Sequence, residues 1–320
     1  MEQGVSMGRC NDTSSRERQM PDWELRQPEL GDYNRSERRT DLVLIGHVGW
    51  ATNQTASGTK TVIGGSGYAA AVAASALLVG GVGLVTQVGQ DFDLTALRCL
   101  NINMEGVAVL PDATAKFFIH QFEDSTRSFK SELGVAATPR LDLFPLAYLR
   151  TKHVHLGTAP PAQQLAWLRF LRNRGCVAQI SVDMFEHFVA TEPDASRQAC
   201  DLADIIFLNK LEYKGLYGEN YYPKAPTILK HGPGGADLVA DGTSRHVSAL
   251  AVREIDPIGA GEVLAGVFLA LRVQGLREID ALSYAVSAAS SSVTEFGVDG
   301  PELANALMHI RAKLPLVLDD

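Results

Sequence analysis

Short apolar runs alternate with helical stretches along most of the chain. Asp41-Leu42-Val43-Leu44-Ile45-Gly46 is apolar on successive positions and closed by glycine, the pattern of a strand buried on both faces. Residues 68–79 form an alanine-rich stretch stopped by Gly80-Gly81, and 82–88 read as the next strand, turned by Gly89-Gln90-Asp91. From His153 onward the alternation is regular, with strands at 153–156, 177–182 and 205–208 and helices at 161–174 and 194–202. A strand at 227–229 and a hairpin-like 236–247 follow. A strand at 247–255 then leads into a helix with Leu264, Phe268 and Leu271 at helical spacing. Residues 279–296 and 301–313 read as closing helices. The pattern predicts an α/β fold, a doubly wound, mostly parallel sheet flanked by helices.

Two stretches stand outside this alternation. Residues 50–63 carry Thr, Val and Lys in a strand-like polar pattern, and 116–122 with 127–129 flank the turn-like Glu123-Asp124-Ser125-Thr126. Their exposed-strand chemistry does not suit a central parallel sheet. It predicts a small separate β-sheet, a lid over a cleft, with strands at about 50–63 and 116–130. Residues 1–40, dense in charged and amide side chains, cannot bury enough apolar surface to offset their ordering entropy. They read as a flexible polar extension ahead of one domain at 41–320.

Composition narrows the partners. A net charge of −8 argues against a general nucleic-acid surface, which needs clustered Lys and Arg. The longest small-residue apolar run, 69–79, is too short to span a bilayer, and no secretory leader pattern opens the chain. Cys10, Cys99, Cys176 and Cys200 are scattered without metal-ligand spacing. The expectation is a cytoplasmic protein with no membrane or nucleic-acid partner.

In open α/β sheets ligands sit beyond the carboxyl ends of the strands. That rule puts Gly46-His47, Gly89-Gln90-Asp91, Asp183, Asn209 and 259–262 along one rim. Gly259, Ala260 and Gly261 leave the first N–H groups of the following helix uncovered, a setting for an anion or a transferring phosphoryl group. Glu262 beside them could accept a proton from an attacking hydroxyl, or could be an exposed first-turn glutamate. Asn209 and Glu212 suit either a water-coordinated Mg²⁺ or a capping box. Asp183 suits a substrate contact or a turn. His153 and His155 share a strand face, which fits a packed or pocket-lining role better than a metal pair. Gly64-Gly65-Ser66-Gly67 matches neither a dinucleotide fingerprint nor a nucleophile elbow, and no P-loop pattern occurs.

With these residues in order, the sequence resembles the ribokinase-like carbohydrate kinases, the PfkB family of sugar and nucleoside kinases. The carboxyl-terminal signature of that family, Asp-Thr-x-Gly-Ala-Gly-Asp, stands here as Asp256-Pro257-Ile258-Gly259-Ala260-Gly261-Glu262. Its amino-terminal signature is similar to Gly64-Gly65 through Val88-Gly89-Gln90-Asp91, its Asn-x-x-Glu to Asn209 through Glu212, and its nucleotide loop to Gly232-Pro233-Gly234-Gly235. The resemblance implies ATP-dependent phosphorylation of a hydroxyl on a small sugar, nucleoside or cyclitol. It makes Gly259, Ala260 and Gly261 an anion hole and position 262 the general base. Asn209 and Glu212 would then hold Mg²⁺ and phosphates, Gly232 and Gly235 would approach ATP, and Asp256 would lie in a loop that binds K⁺. The lid strands are ones that can pair between subunits into a homodimer.

The departures are specific. Glu262 replaces the family Asp and is one methylene longer. The family's acceptor-binding Asp aligns on Ala51, and a sugar-binding Asn falls near Ala69. Thr52, Asn53, Tyr68 and Arg127 are the candidate replacements, alongside Gly64, Gly65 and Asp183 on the acceptor side. Two readings follow: an active kinase with an unusual acceptor, or a weakly catalytic kinase-like protein that binds a nucleotide or metabolite and acts through a partner.

Overall fold

The computed structural model describes residues 39–122, 127–218 and 223–314, so the polar extension, apart from Arg39 and Thr40, lies outside the described residues, as does the turn 123–126. The strands are β1 (Leu42–Ile45), β2 (Gly49–Thr55), β3 (Gly58–Gly64), β4 (Val82–Gly89), β5 (Asn103–Leu110), β6 (Ala115–Gln121) and β7 (Arg127–Glu132). Then come β8 (His153–Leu156), β9 (Gln179–Asp183), β10 (Ile205–Asn209), β11 (Thr227–Lys230), β12 (Ala236–Ala240) and β13 (Thr243–Val247). The helices are α1 (Ser66–Leu77), α2 (Thr95–Arg98), α3 (Pro161–Asn173), α4 (Glu186–Thr191), α5 (Pro193–Leu202), α6 (Lys210–Tyr217), α7 (Ala260–Val273), α8 (Glu278–Ser292) and α9 (Pro301–Lys313).

Among the described residues nine strands form one sheet in the order β13-β12-β11-β10-β9-β8-β1-β4-β5. It is parallel from β11 to β5 and closes with the antiparallel pairs β11–β12 and β12–β13. The apolar run of β1 explains its central place. Leu42 and Leu44 point into a core shared with α1, α7, α8 and α9, while Val43 and Ile45 point into a second core built with α3 and α5. On β10, Phe207 and Leu208 divide between the same two cores. None of the described helices is long and apolar enough to cross a membrane.

The lid is the second sheet, ordered β3-β2-β6-β7, with a small core of Ala51, Ala115, Phe117 and Ala136. The mostly parallel helix-covered sheet and the separate small sheet agree with the sequence. The predicted strand at 247–255 does not: β13 ends at Val247, and 248–255 form no strand. Its polar backbone is satisfied by a helix instead, with Leu250 N–H donating to Ser290 Oγ at 3.1 Å and Ile255 N–H to Val293 O at 2.7 Å. Leu250 and Val252 are left exposed toward the cleft.

The strand β8 histidines lie deep in the sheet. His153 Nε2 and His155 Nδ1 each sit 2.8 Å from the one Ser181 hydroxyl. Burial lowers them to about 4 and about 3, so they stay neutral and serve as packed polar groups.

Candidate active site

A cleft of about 930 Å³ opens between the carboxyl rim of the main sheet and the inner face of the lid. The residues 259–262, the loop at 232–235, Asn209 and Glu212 all line it.

The turn into α7 depends on Gly259, whose φ of 91° lies in the left-handed region and allows the chain to reverse directly into the helix. The helix is then pressed against α1 at Gly266, where a methyl group would meet Ala70 O at 2.5 Å. The first-turn N–H groups at Gly261 and Glu262 have no acceptor within the helix and face the cleft with the positive end of the dipole. Glu262 is half-buried there, and Thr158 Oγ1 donates to its Oε1 at 3.2 Å. That bond fixes the carboxylate while its second oxygen is left for other chemistry.

Asp256, three residues before Gly259, does not line the cleft. It is buried and organises the loop: Ile258 N–H donates to Oδ1 at 3.0 Å, and Asn53 Nδ2 and Gly297 N–H donate to Oδ2 at 2.7 and 3.3 Å. Asn53 belongs to lid strand β2, and Thr55 Oγ1 adds a 2.9 Å bond to Ile255 O. The lid is thereby fastened to the loop that starts α7.

Asn209 and Glu212 form a capping box at the start of α6. Glu212 N–H donates to Asn209 Oδ1 at 2.9 Å, and the Glu212 oxygens accept from Asn209 N–H and Nδ2 at 2.6 and 2.7 Å. Burial pushes the Glu212 carboxyl up to about 8 against the opposing pull of Lys230. Beside it, Lys230 ends β11 with its Nζ 2.5 Å from Asp183 Oδ1. Asp183 is wholly buried under the cleft floor, and burial raises it to about 6, opposed by Lys230 and reinforced by Glu262. For Lys230 burial works against the charge, but Asp183, Glu212 and Glu262 together hold it above the ordinary lysine range.

Several acceptor-side expectations need correction. Thr52 faces out of the lid and pairs with Thr61 Oγ1 at 3.0 Å, because β2 alternates and puts Ala51 and Asn53 inward instead. Tyr68 is buried, and its hydroxyl donates to Asp299 Oδ2 at 3.2 Å away from the cleft. Asp183 reaches the cleft only through Lys230. Gly64 and Gly65 do line the cleft, and Arg127 opens β7 opposite Gln121. The inner lid surface is largely apolar: Phe117, Ile119 and Phe129 line the cleft together with Phe185 and Phe188, and Phe129 packs edge-on against Phe185 at 4.8 Å. Sequence reasoning missed Lys230, Thr158 and this aromatic lining.

The family profile described as pfkB family carbohydrate kinase matches residues 41–305, nearly all of the main sheet, the lid and α7. The chain belongs to the pfkB family of carbohydrate kinases. It is 33% identical to a cytidine kinase of Thermococcus kodakarensis over 246 residues, 72% of this chain and 87% of that one. In fold it is similar to a Burkholderia thailandensis nucleoside kinase solved with inosine, at TM-score 0.70 and 18% identity over 86% of this chain and 100% of that one. A putative ribokinase II of E. coli solved with ATP and Mg²⁺ superposes at TM-score 0.67 and 20% identity, covering 85% of this chain and 99% of that one. As a pfkB kinase, the chain has Gly64-Gly65, Asn209, Glu212, Gly232, Gly235 and 259–262 on one cleft, whereas Gly89-Gln90-Asp91 lie off it, with Asp91 Oδ1 accepting from Thr114 N–H and Oγ1 at 2.9 and 2.6 Å.

Proposed function

We propose that this pfkB kinase transfers the terminal phosphoryl group of ATP to a hydroxyl of a nucleoside, with Glu262 as general base. The observation that carries the reading is the Glu262 carboxylate, held by Thr158 at the dipole-positive start of α7 on the wall of the cleft. There a carboxylate takes the acceptor proton while the N–H groups beside it receive the charge that develops on the phosphoryl oxygens. A nucleoside is favoured over a free sugar by the lid lining: Phe117, Phe129 and Phe185 offer flat apolar surface for a base. Ala51 removes a polar partner for sugar hydroxyls, free or on a nucleoside's ribose, so contacts to a base would carry more of the recognition. The likeness to a cytidine kinase agrees with that chemistry.

On the nucleotide side, the exposed Gly232, Pro233, Leu250 and Val252 give an open backbone and apolar contacts for ATP. Mg²⁺ would supply charge neutralisation on the phosphates. Because the Asn209 and Glu212 donors already bond one another, they suit a fully hydrated ion, reached through its waters. For K⁺, the Asp256 carboxylate and the buried, unpartnered Asn53 Oδ1 provide the oxygen chemistry beside the α7 loop. The lid, closing over these groups, would exclude water from the transfer.

The test is ADP release with Mg·ATP, with and without K⁺, across pyrimidine and purine nucleosides, free sugars and cyclitols. Turnover on a nucleoside that Glu262→Gln abolishes is expected, with Glu262→Asp falling by about 10–100-fold from lost reach. Unchanged turnover in Glu262→Gln would remove the base assignment, and turnover confined to free sugars would remove the nucleoside.

A further inference from the structure

We propose that Lys230 is the cation that contacts the transferring phosphoryl group, and that Asp183 is the positioning residue that holds it there. The proposal rests on the kinase reading above. Lys230 ends β11 directly beside Asn209 in the sheet register, at the rim where the nucleotide elements converge. A methyl group placed on Gly261 would stand 3.2 Å from Lys230 Nζ. The ammonium therefore lies against the same first turn of α7 whose N–H groups face the cleft. An anion received by those N–H groups would touch it.

Its surroundings argue against a purely structural ion pair. The Asp183 side chain is completely buried, and its Oδ2 has no partner, so it cannot meet a ligand itself. The Lys230 side chain keeps 15% of its surface open, and that surface is on the cleft. The pair is thus built with its acid sealed beneath the floor and its ammonium at the opening. A lysine is a flexible point charge with rotatable donors, and one short bond to a buried carboxylate fixes where that charge stands. Of the two lysines lining the cleft among the described residues, Lys210 is exposed on the first turn of α6, whereas Lys230 adjoins α7.

In the step itself, the acceptor oxygen forms a bond to the terminal phosphorus and its proton passes to Glu262. The bond from that phosphorus to the bridging oxygen breaks, and the electron pair leaves with ADP. Lys230 stays protonated throughout and stabilises charge on the phosphoryl oxygens.

Full-length Lys230→Met, Lys230→Arg, Lys230→Ala and Asp183→Asn would be compared with the parent chain, with folding checked by circular dichroism and thermal melting. The first readout is binding of ADP and of a non-hydrolysable ATP analogue, each with Mg²⁺. Lys230→Met should weaken the analogue by about 10-fold and leave ADP within twofold, which decides the matter even if no acceptor is turned over. The second is turnover on whichever acceptor the parent chain phosphorylates. Lys230→Met should lower kcat by on the order of 100–1000-fold with acceptor KM nearly unchanged. Lys230→Arg should retain part of the rate, and added alkylammonium ions should restore part of it to Lys230→Ala. Asp183→Asn should lower kcat by about 10-fold, with ADP affinity kept. Equal weakening of ADP and analogue, no change in either, or loss of rate that tracks lost folding without rescue would each overturn the proposal. A parent chain that binds nucleotide but phosphorylates nothing would instead sink the kinase reading.

Discussion

Replacing Asn53 with Ala separates two roles that this side chain could have. The sequence places it among acceptor contacts, whereas its Nδ2 donates to the buried Asp256 carboxylate at 2.7 Å and fastens the lid to the α7 loop. A hydrogen bond to a charged acceptor contributes about 1.5–3 kcal/mol. Part is offset, because Ala also removes the unpartnered buried Oδ1 of Asn53, and the Thr55 Oγ1 bond to Ile255 O persists. The expected net loss is about 1–2 kcal/mol, which for a domain of this size lowers the melting temperature by roughly 2–8 °C. Asp256 would retain Ile258 N–H and a longer bond from Gly297 N–H, so the start of α7 loosens without collapsing. A tenth of the parent kcat is expected, short of the roughly 100-fold cost of a full 1 Å misplacement. Calorimetry and steady-state kinetics on the same preparation test this. An unchanged melting temperature with a tenfold or greater rise in acceptor KM would refute the tether and return Asn53 to the acceptor.

Two further outcomes follow from burial. The Glu212 carboxyl is raised to about 8 in the folded chain from 4.5, so the folded state holds its proton where the unfolded state has released it. The stability this gives is complete below about pH 4.5 and is lost as pH rises through about 8. Asp183, raised to about 6, acts with the same sign in a lower window, and the buried neutral His153 and His155 act with the opposite sign up to about pH 6.5, so melting temperatures between pH 7 and 8 report on Glu212. Glu212→Gln should flatten the decline across that interval while melting lower at every pH, since one capping acceptor is lost; an unaltered slope would show that Glu212 is not its source. Gly266→Val should cost about 1–3 kcal/mol by overpacking, because the new Cβ would meet Ala70 O at 2.5 Å. Denaturant titration measures it, and a neutral result would mean α1 and α7 can separate freely.

The sheet was legible because its strands are buried on both faces. Leu42 through Ile45 could be apolar at every position only if helices covered both sides. The turn at Gly259 was legible because small residues before a helix have few other uses. Face assignment within the lid was not, since period-two alternation turns Thr52 outward and Asn53 inward, and the sequence shows no phase marker between neighbouring polar residues. The stretch 248–255 misleads for a related reason: its alternation matches contact with α8 and the cleft wall rather than a ladder. Lys230 had a usable signal. The carboxyl-end rule that singles out Asp183 and Asn209 applies equally to an ionisable residue ending the apolar Thr227-Ile228-Leu229.

The seam between α1 and α7 also governs how the protein is made. Ala70 and Gly266 meet across most of the chain's length, and α1 has its most extensive helix partner in that late helix. During synthesis at about 5–20 residues per second, the amino-terminal half emerges many seconds before α7 can cover it. The nascent chain therefore presents the face of α1 that packs on α7 uncovered until that helix leaves the ribosome. Slow, long-range nucleation belongs to this architecture. A truncation before residue 260 would remove Glu262, the proposed base, together with the surface that lets the first half of the molecule settle.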